Sequence, residues 1–251
     1  MSVLDKKVAL VTGGGQGVGA GIALALAAEG AAVAVLGRNL PSLEATCAEI
    51  HRRGGRAEAF VCDVMELEDI ESAVQEVVDE FGGIDILINN AQILPLGDIL
   101  ELSEDEYHLG MDSGPLATFR FLKACYPFLR GEGAVVNVAS SAAVKADSAG
   151  YGAYAAAKEA IRALSRAAAC EWGVDNIRVN CIMPLANSPA MASWVESGED
   201  EVADFLETVP LGRVGDCEED IGRVVVFLCS ADSAYITGHT IPVDGGQALL
   251  R

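Results

Sequence analysis

Val8-Ala-Leu-Val-Thr12-Gly-Gly-Gly-Gln-Gly17-Val-Gly19 decides the fold. Its first half is a short apolar run of strand character. Its second half is a glycine-rich turn that opens an apolar, small-residue segment, Ile22–Glu29, of helical character. Glycines permit a tight turn and let the backbone approach a pyrophosphate, and the helix N-terminus behind them offers free amides and a favourable dipole. Such a motif is weak evidence in isolation. Placed between a first strand and a first helix it reads as a dinucleotide site, with a ligand-free structural turn as the alternative.

Outward from this turn the chain alternates short apolar runs with longer amphipathic ones. Strand-like runs are Lys7–Thr12, Ala32–Leu36, Ala57–Cys62, Ile84–Asn89, Ala134–Ala139, Ile177–Ile182 and Thr240–Val243. Helical patterns fill Leu40–Arg53, Leu67–Phe81, Ser103–Leu129 (interrupted by Pro115 and Pro127), Gly152–Trp172 and Glu218–Cys229. This alternation predicts an α/β fold, a doubly wound parallel sheet of about seven strands with helices on both faces. No linker or repeat interrupts it, so residues 1–251 are expected to form a single domain. The least regular stretch, 184–215, carries Met191, Trp194 and Phe205 and is expected to be a substrate-binding lid.

The formal net charge of −20 disfavours nucleic acid and anionic membranes as partners. No apolar stretch reaches the roughly 18 residues of a membrane span, and the apolar run after Lys7 is too short for a signal peptide; a cytoplasmic protein is expected. Seven cysteines without a C-x-x-C pair fit reduced core thiols. The three histidines show no metal-ligand spacing, so no metal is expected.

The ends of the strands carry the candidate chemistry. Strand two ends in Gly37-Arg38, where a site selective for NAD usually has an acid; a guanidinium suits a 2′-phosphate, which favours NADP(H) over NAD(H). Asp63-Val64 follows strand three; its carboxylate suits the adenine amino group or the cap of the next helix. Asn89-Asn90-Ala91 ends strand four on the same edge. Tyr154 and Lys158 lie one helical turn apart, so a phenol and an ammonium share a face. A nearby positive charge favours the phenolate, which makes a proton donor usable near neutral pH.

In combination, Thr12-Gly13…Gly17-Val18-Gly19, Asp63, Asn89-Asn90-Ala91, Ser140, Tyr154…Lys158 and Asp244-Gly245-Gly246 resemble the short-chain dehydrogenase/reductase family over essentially the whole chain. The resemblance implies a Rossmann-type domain, a nicotinamide cofactor and a homotetramer. It implies Ser140, Tyr154 and Lys158 as catalytic, with Tyr154 exchanging the proton. It implies Gly13, Gln16, Gly17, Val18, Gly19, Arg38, Asp63, Val64, Asn90, Tyr154, Lys158, Pro184 and Ser188 as the cofactor site. Strand register matches Ser140 to the family serine, whereas counting back from Tyr154 matches Ser141; Ser140 is preferred.

Four positions depart from the family pattern. Gln92 replaces a glycine after Asn-Asn-Ala, and Gly114 replaces an asparagine thought to hold a water that links the lysine to solvent. Leu185 replaces the glycine of Pro-Gly, and Ser188 replaces a threonine. A water or Ser113 is expected to stand in for the missing asparagine. The leading expectation is a hydride-transfer oxidoreductase for a small or medium, mainly apolar secondary alcohol or ketone. The alternatives are a β-ketoacyl carrier-protein reductase, which the −20 charge opposes, and a non-catalytic NADP(H)-binding sensor or scaffold.

Overall fold

Each residue of β1 (Val8–Thr12) and β4 (Ile86–Asn89) is buried, the pattern of strands covered on both faces. Ala9 and Val11 pack to one side of the sheet with Ile22, Leu26, Leu43 and Val225; Leu10 packs to the other with Ile70, Val74, Phe121 and Cys125. The computed structural model describes residues 2–144, 150–188, 191 and 204–248. One parallel sheet contains β1, β2 (Ala32–Gly37), β3 (Arg56–Val61), β4, β5 (Ala134–Val138), β6 (Arg178–Pro184) and β7 (Thr240–Val243) in the order β3-β2-β1-β4-β5-β6-β7. The first core side is covered by α1 (Gly17–Ala28), α2 (Leu40–Arg52) and α7 (Arg223–Cys229). The second is covered by α3 (Leu67–Phe81), α5 (Ala117–Leu129) and α6 (Gly152–Trp172). The chain winds outward from β1 in one direction and from β4 in the other. The crevice at their carboxyl ends is therefore the switch point where such sheets bind ligands.

Two helices differ from the sequence pattern for physical reasons. α1 begins at Gly17 rather than Ile22. Its glycines, which weigh against a helix locally, are required by contact. A Cβ on Gly21 would lie 2.3 Å from the backbone of Cys217, where α1 crosses a π turn at Cys217–Gly222. The long pattern before β5 does not break at Pro115. α4 (Glu104–Met111) runs through a π turn at Asp112–Leu116 into α5. Proline has no amide to continue the ladder, and the wider turn accommodates its ring. At the start of α4, Ser103 and Glu106 form a reciprocal capping box.

Candidate active site

The first turn after β1 is held against β4. Asn90 donates from Nδ2 to the carbonyls of Thr12 (3.0 Å) and Gly13 (3.2 Å), and the Asn90 and Ala91 amides donate to Thr12 Oγ1. Gly13 has φ +65°, and a Cβ on Gly19 would lie 2.2 Å from the Gly13 carbonyl oxygen, so neither position admits a side chain. Gln16 caps α1 without a side-chain hydrogen bond. The first-turn amides thus keep their donors for a ligand, and a side-chain-free cradle in front of a helix N-terminus fits a pyrophosphate.

At the β2 and β3 edge, Arg38 Nη1 lies 3.7 Å from Asp63 Oδ2, with the guanidinium largely exposed. Arg38 is thus neither an isolated loop cation nor locked in a close pair, and remains available to an anion. Asp63 does not cap α3, whose N-cap is Glu66; its Oδ1 accepts from the Met65 amide at 3.0 Å and closes a turn of its own.

The proton-handling residues come from β5 and α6. Small residues let α6 lie close to the sheet, and Lys158 is buried on its inner face. Its Nζ donates to the Val138 carbonyl at 2.6 Å and lies 5.5 Å from the centroid of the Tyr154 ring. Burial pushes the Lys158 ammonium down to about 7. Burial pushes the Tyr154 phenol up; a hydrogen bond from the Ser140 hydroxyl pulls it down, and Tyr151 pushes it up. The spacing of Tyr154 and Lys158 predicts a depressed phenol, and the structure corrects that: the cost of burying a phenolate outweighs the help of the Ser140 hydroxyl. Ser140 Oγ also accepts from the Ala142 amide at 3.2 Å, whereas Ser141 Oγ donates to Gln247 Oε1 at 3.4 Å.

Beneath these groups a buried polar chain crosses the core. Asn89 donates to Asn137 (2.8 Å), Asn137 to Ser165 (2.7 Å), Cys181 to Ser165 (3.0 Å) and Ser165 to the Ile161 carbonyl (2.7 Å). It ties β4, β5, β6 and α6 together directly below Lys158. Ser113 does not replace the missing asparagine: its hydroxyl donates to the Leu109 carbonyl at 2.6 Å and accepts from the Ile93 amide at 3.0 Å.

A single cavity of about 970 Å³ brings together Ser140, Tyr154, Lys158 and every residue named for the cofactor, from Gly13 to Ser188. Met191 and Phe205 line it too; Trp194 lies outside the described residues. Tyr151, Leu94 and Gln247 were missed. Tyr151 could have been found, since it precedes Tyr154 by one helical turn and its ring meets that of Tyr154 edge-on at 6.2 Å. Leu94 and Gln247 sit in irregular segments without a periodic signal.

Residues 13–248 match the family profile described as Enoyl-(Acyl carrier protein) reductase. A 12alpha-hydroxysteroid dehydrogenase of Clostridium sp. is 44% identical, with 98% of this chain and 98% of the relative covered. A tropinone reductase homologue of Arabidopsis thaliana is 36% identical over 96% of this chain and 91% of its own length. The solved structure of a dehydrogenase/reductase from Sinorhizobium meliloti superposes with a TM-score of 0.92 at 32% identity, covering 98% of this chain and 97% of that one. With its sheet order, glycine cradle and shared cavity, the chain is a member of the short-chain dehydrogenase/reductase family, an oxidoreductase of CH–OH and C=O groups that uses a nicotinamide cofactor.

Proposed function

We propose that this enzyme moves a hydride between NADP(H) and a mainly apolar secondary alcohol or ketone, with an alicyclic substrate of hydroxysteroid type as the first candidate. The observation that carries the reading is the meeting of Ser140, Tyr154 and Lys158 in one cavity with the glycine cradle and Arg38. The substrate class draws on the relatives, one named for a hydroxysteroid and one for tropinone reductase, and on Leu94, Met191 and Phe205 along the cavity.

A nicotinamide cofactor in this cleft supplies or accepts the hydride at the substrate carbon. The Tyr154 hydroxyl gives the balancing proton to the substrate oxygen in reduction and takes it back in oxidation. Ser140, whose one proton favours the phenolate of Tyr154 in the empty site, turns that proton to the substrate oxygen once it is bound. Lys158 keeps ammonium donors free for the ribose beside Tyr154. Arg38 would hold the 2′-phosphate and Asp63 the adenine amino group. A cytoplasmic homotetramer belongs to the same proposal, the first from the short apolar runs of the sequence and the second from family resemblance.

A net charge of −20 weighs against docking of an acidic carrier protein. The test is NADPH oxidation with a 12-oxo steroid, simple cyclic ketones and a β-ketoacyl thioester, wild type against Tyr154→Phe. Turnover of the ketones that Tyr154→Phe abolishes supports the reading. Turnover of the thioester alone replaces it with the carrier-protein activity, and tight NADPH binding without any turnover replaces it with the sensor.

A further inference from the structure

Gln92 and Gly114 are far apart in sequence, and each breaks the family pattern separately. In space they meet. A Cβ on Gly114 would lie 2.7 Å from both Cδ and Nε2 of Gln92 and 3.1 Å from Oε1. The glutamine carboxamide therefore stands where a side chain at position 114 would stand. Its anchoring is one-sided. Nε2 makes a long contact of 3.4 Å to the Gly110 carbonyl, and Oε1 is buried with no donor among the described residues. A buried carbonyl oxygen without a donor is costly, so it calls for a partner that completes it.

The cavity offers one. Gln92 and Lys158 line the same space. Lys158 is buried, and of the three donors of an ammonium one is bonded among the described residues, to Val138. A buried cation with spare donors and a buried acceptor without a donor are the two ends a bridging water requires. Ser113, the other polar side chain of the π turn facing this region, has committed its proton to Leu109.

We propose that Gln92 is a positioning residue that works as one unit with Gly114. Its carboxamide fills the space freed at position 114, and Oε1 holds a water shared with the Lys158 ammonium. Glycine at 114 is then the condition for glutamine at 92, and the two departures are one compensated change. The proposal rests on the functional reading above, because Lys158 matters only where Tyr154 exchanges a proton.

The experiment is a set of variants in the full chain with NADPH and a reducible ketone: Gln92→Met, Gln92→Gly, Gly114→Asn and the double Gln92→Gly/Gly114→Asn. Methionine keeps the volume and removes the acceptor. Gln92→Met is expected to lower kcat about tenfold, with the NADPH Kd and ketone KM nearly unchanged and no loss in Tm. Gly114→Asn alone is expected to lower both kcat and Tm, and the double variant to recover most of each. Full kcat in Gln92→Met would overturn the proposal. A loss confined to Kd or KM would also overturn it, since Oε1 would then serve cofactor or substrate directly. Strict additivity of the two single changes would break the unit. Absence of wild-type turnover with every ketone sinks the functional reading instead, and the melting temperatures of the same proteins still decide whether positions 92 and 114 are coupled.

Discussion

Lys158 Nζ sits 5.5 Å from the centre of the Tyr154 ring and spends a 2.6 Å hydrogen bond on the Val138 carbonyl. The strand β5 thus holds the ammonium, and the tyrosine receives only its proximity. Burial has lowered this lysine from 10.5 to about 7, a displacement that costs stability on the order of 5 kcal/mol when the ammonium is charged.

That cost depends on pH in a defined direction. Unfolded Lys158 binds a proton up to about pH 10, and the folded lysine releases it near 7, so stability rises with pH across that window and is lowest below it. Lys158→Met is expected to abolish turnover while raising stability by about 2 kcal/mol near pH 6, with the gain shrinking toward pH 10. Melting curves of both proteins across this range check it; a gain that grows with pH contradicts the assignment.

Arg38 lies at 3.7 Å from Asp63, too far for a strong pair and close enough to be held at the rim of the cavity. Arg38→Leu is expected to weaken NADPH binding by roughly 10- to 100-fold, the worth of charge-assisted hydrogen bonds, and to leave NADH within about threefold. Titration of cofactor fluorescence measures both. Equal losses for the two cofactors would remove Arg38 from the phosphate.

The two serines at the end of β5 differ in their surroundings: Ser140 Oγ accepts from the Ala142 amide and acts on the Tyr154 phenol, and Ser141 Oγ bonds Gln247. Ser140→Ala is expected to cut kcat on the order of 100-fold, as loss of a donor at a developing oxyanion does. Ser141→Ala is expected to change it by less than about threefold. Steady-state kinetics of the pair decide which serine holds the substrate oxygen.

Asn137 is fully buried between Asn89 and Ser165. Asn137→Ala leaves the buried Asn89 amide without its acceptor and takes one of three hydrogen bonds from Ser165, and is expected to cost about 2–4 kcal/mol. Denaturant unfolding measures it. A loss below about 1 kcal/mol would mean that the polar chain relaxes onto other partners.

Much of the fold is legible in the sequence because it follows local periodicity. α3 spans Leu67–Phe81 and α6 Gly152–Trp172, where an unbroken amphipathic pattern places them. The start of α1 is not legible, because Gly19 is required by the Gly13 carbonyl and the Asn90 side chain, and Gly21 by the distant backbone of Cys217. The site is legible as a set of motifs, since each lies at a strand end and the parallel topology brings such ends to one edge. Its electrostatics are not. Tyr154 and Lys158 predict a lowered phenol by spacing, whereas the burial that raises it comes from the packed surroundings. Gln92 and Gly114 look like two separate departures until their 2.7 Å approach is seen.

The π turn at Asp112–Leu116 acts as a phase adjuster in one long rod. Downstream, Phe121, Leu122, Cys125 and Leu129 of α5 grip the core. Upstream, Leu109 and Gly110 of α4 hold Ser113 and Gln92. An α-helix turns about 100° per residue. Loss of one residue in this turn would leave α5 seated and swing the α4 carbonyls away from the cleft. The number of these five residues therefore matters as well as the identity of Gly114. Single-residue deletions here should disable the site while sparing the core, an error that no substitution at the same positions reproduces.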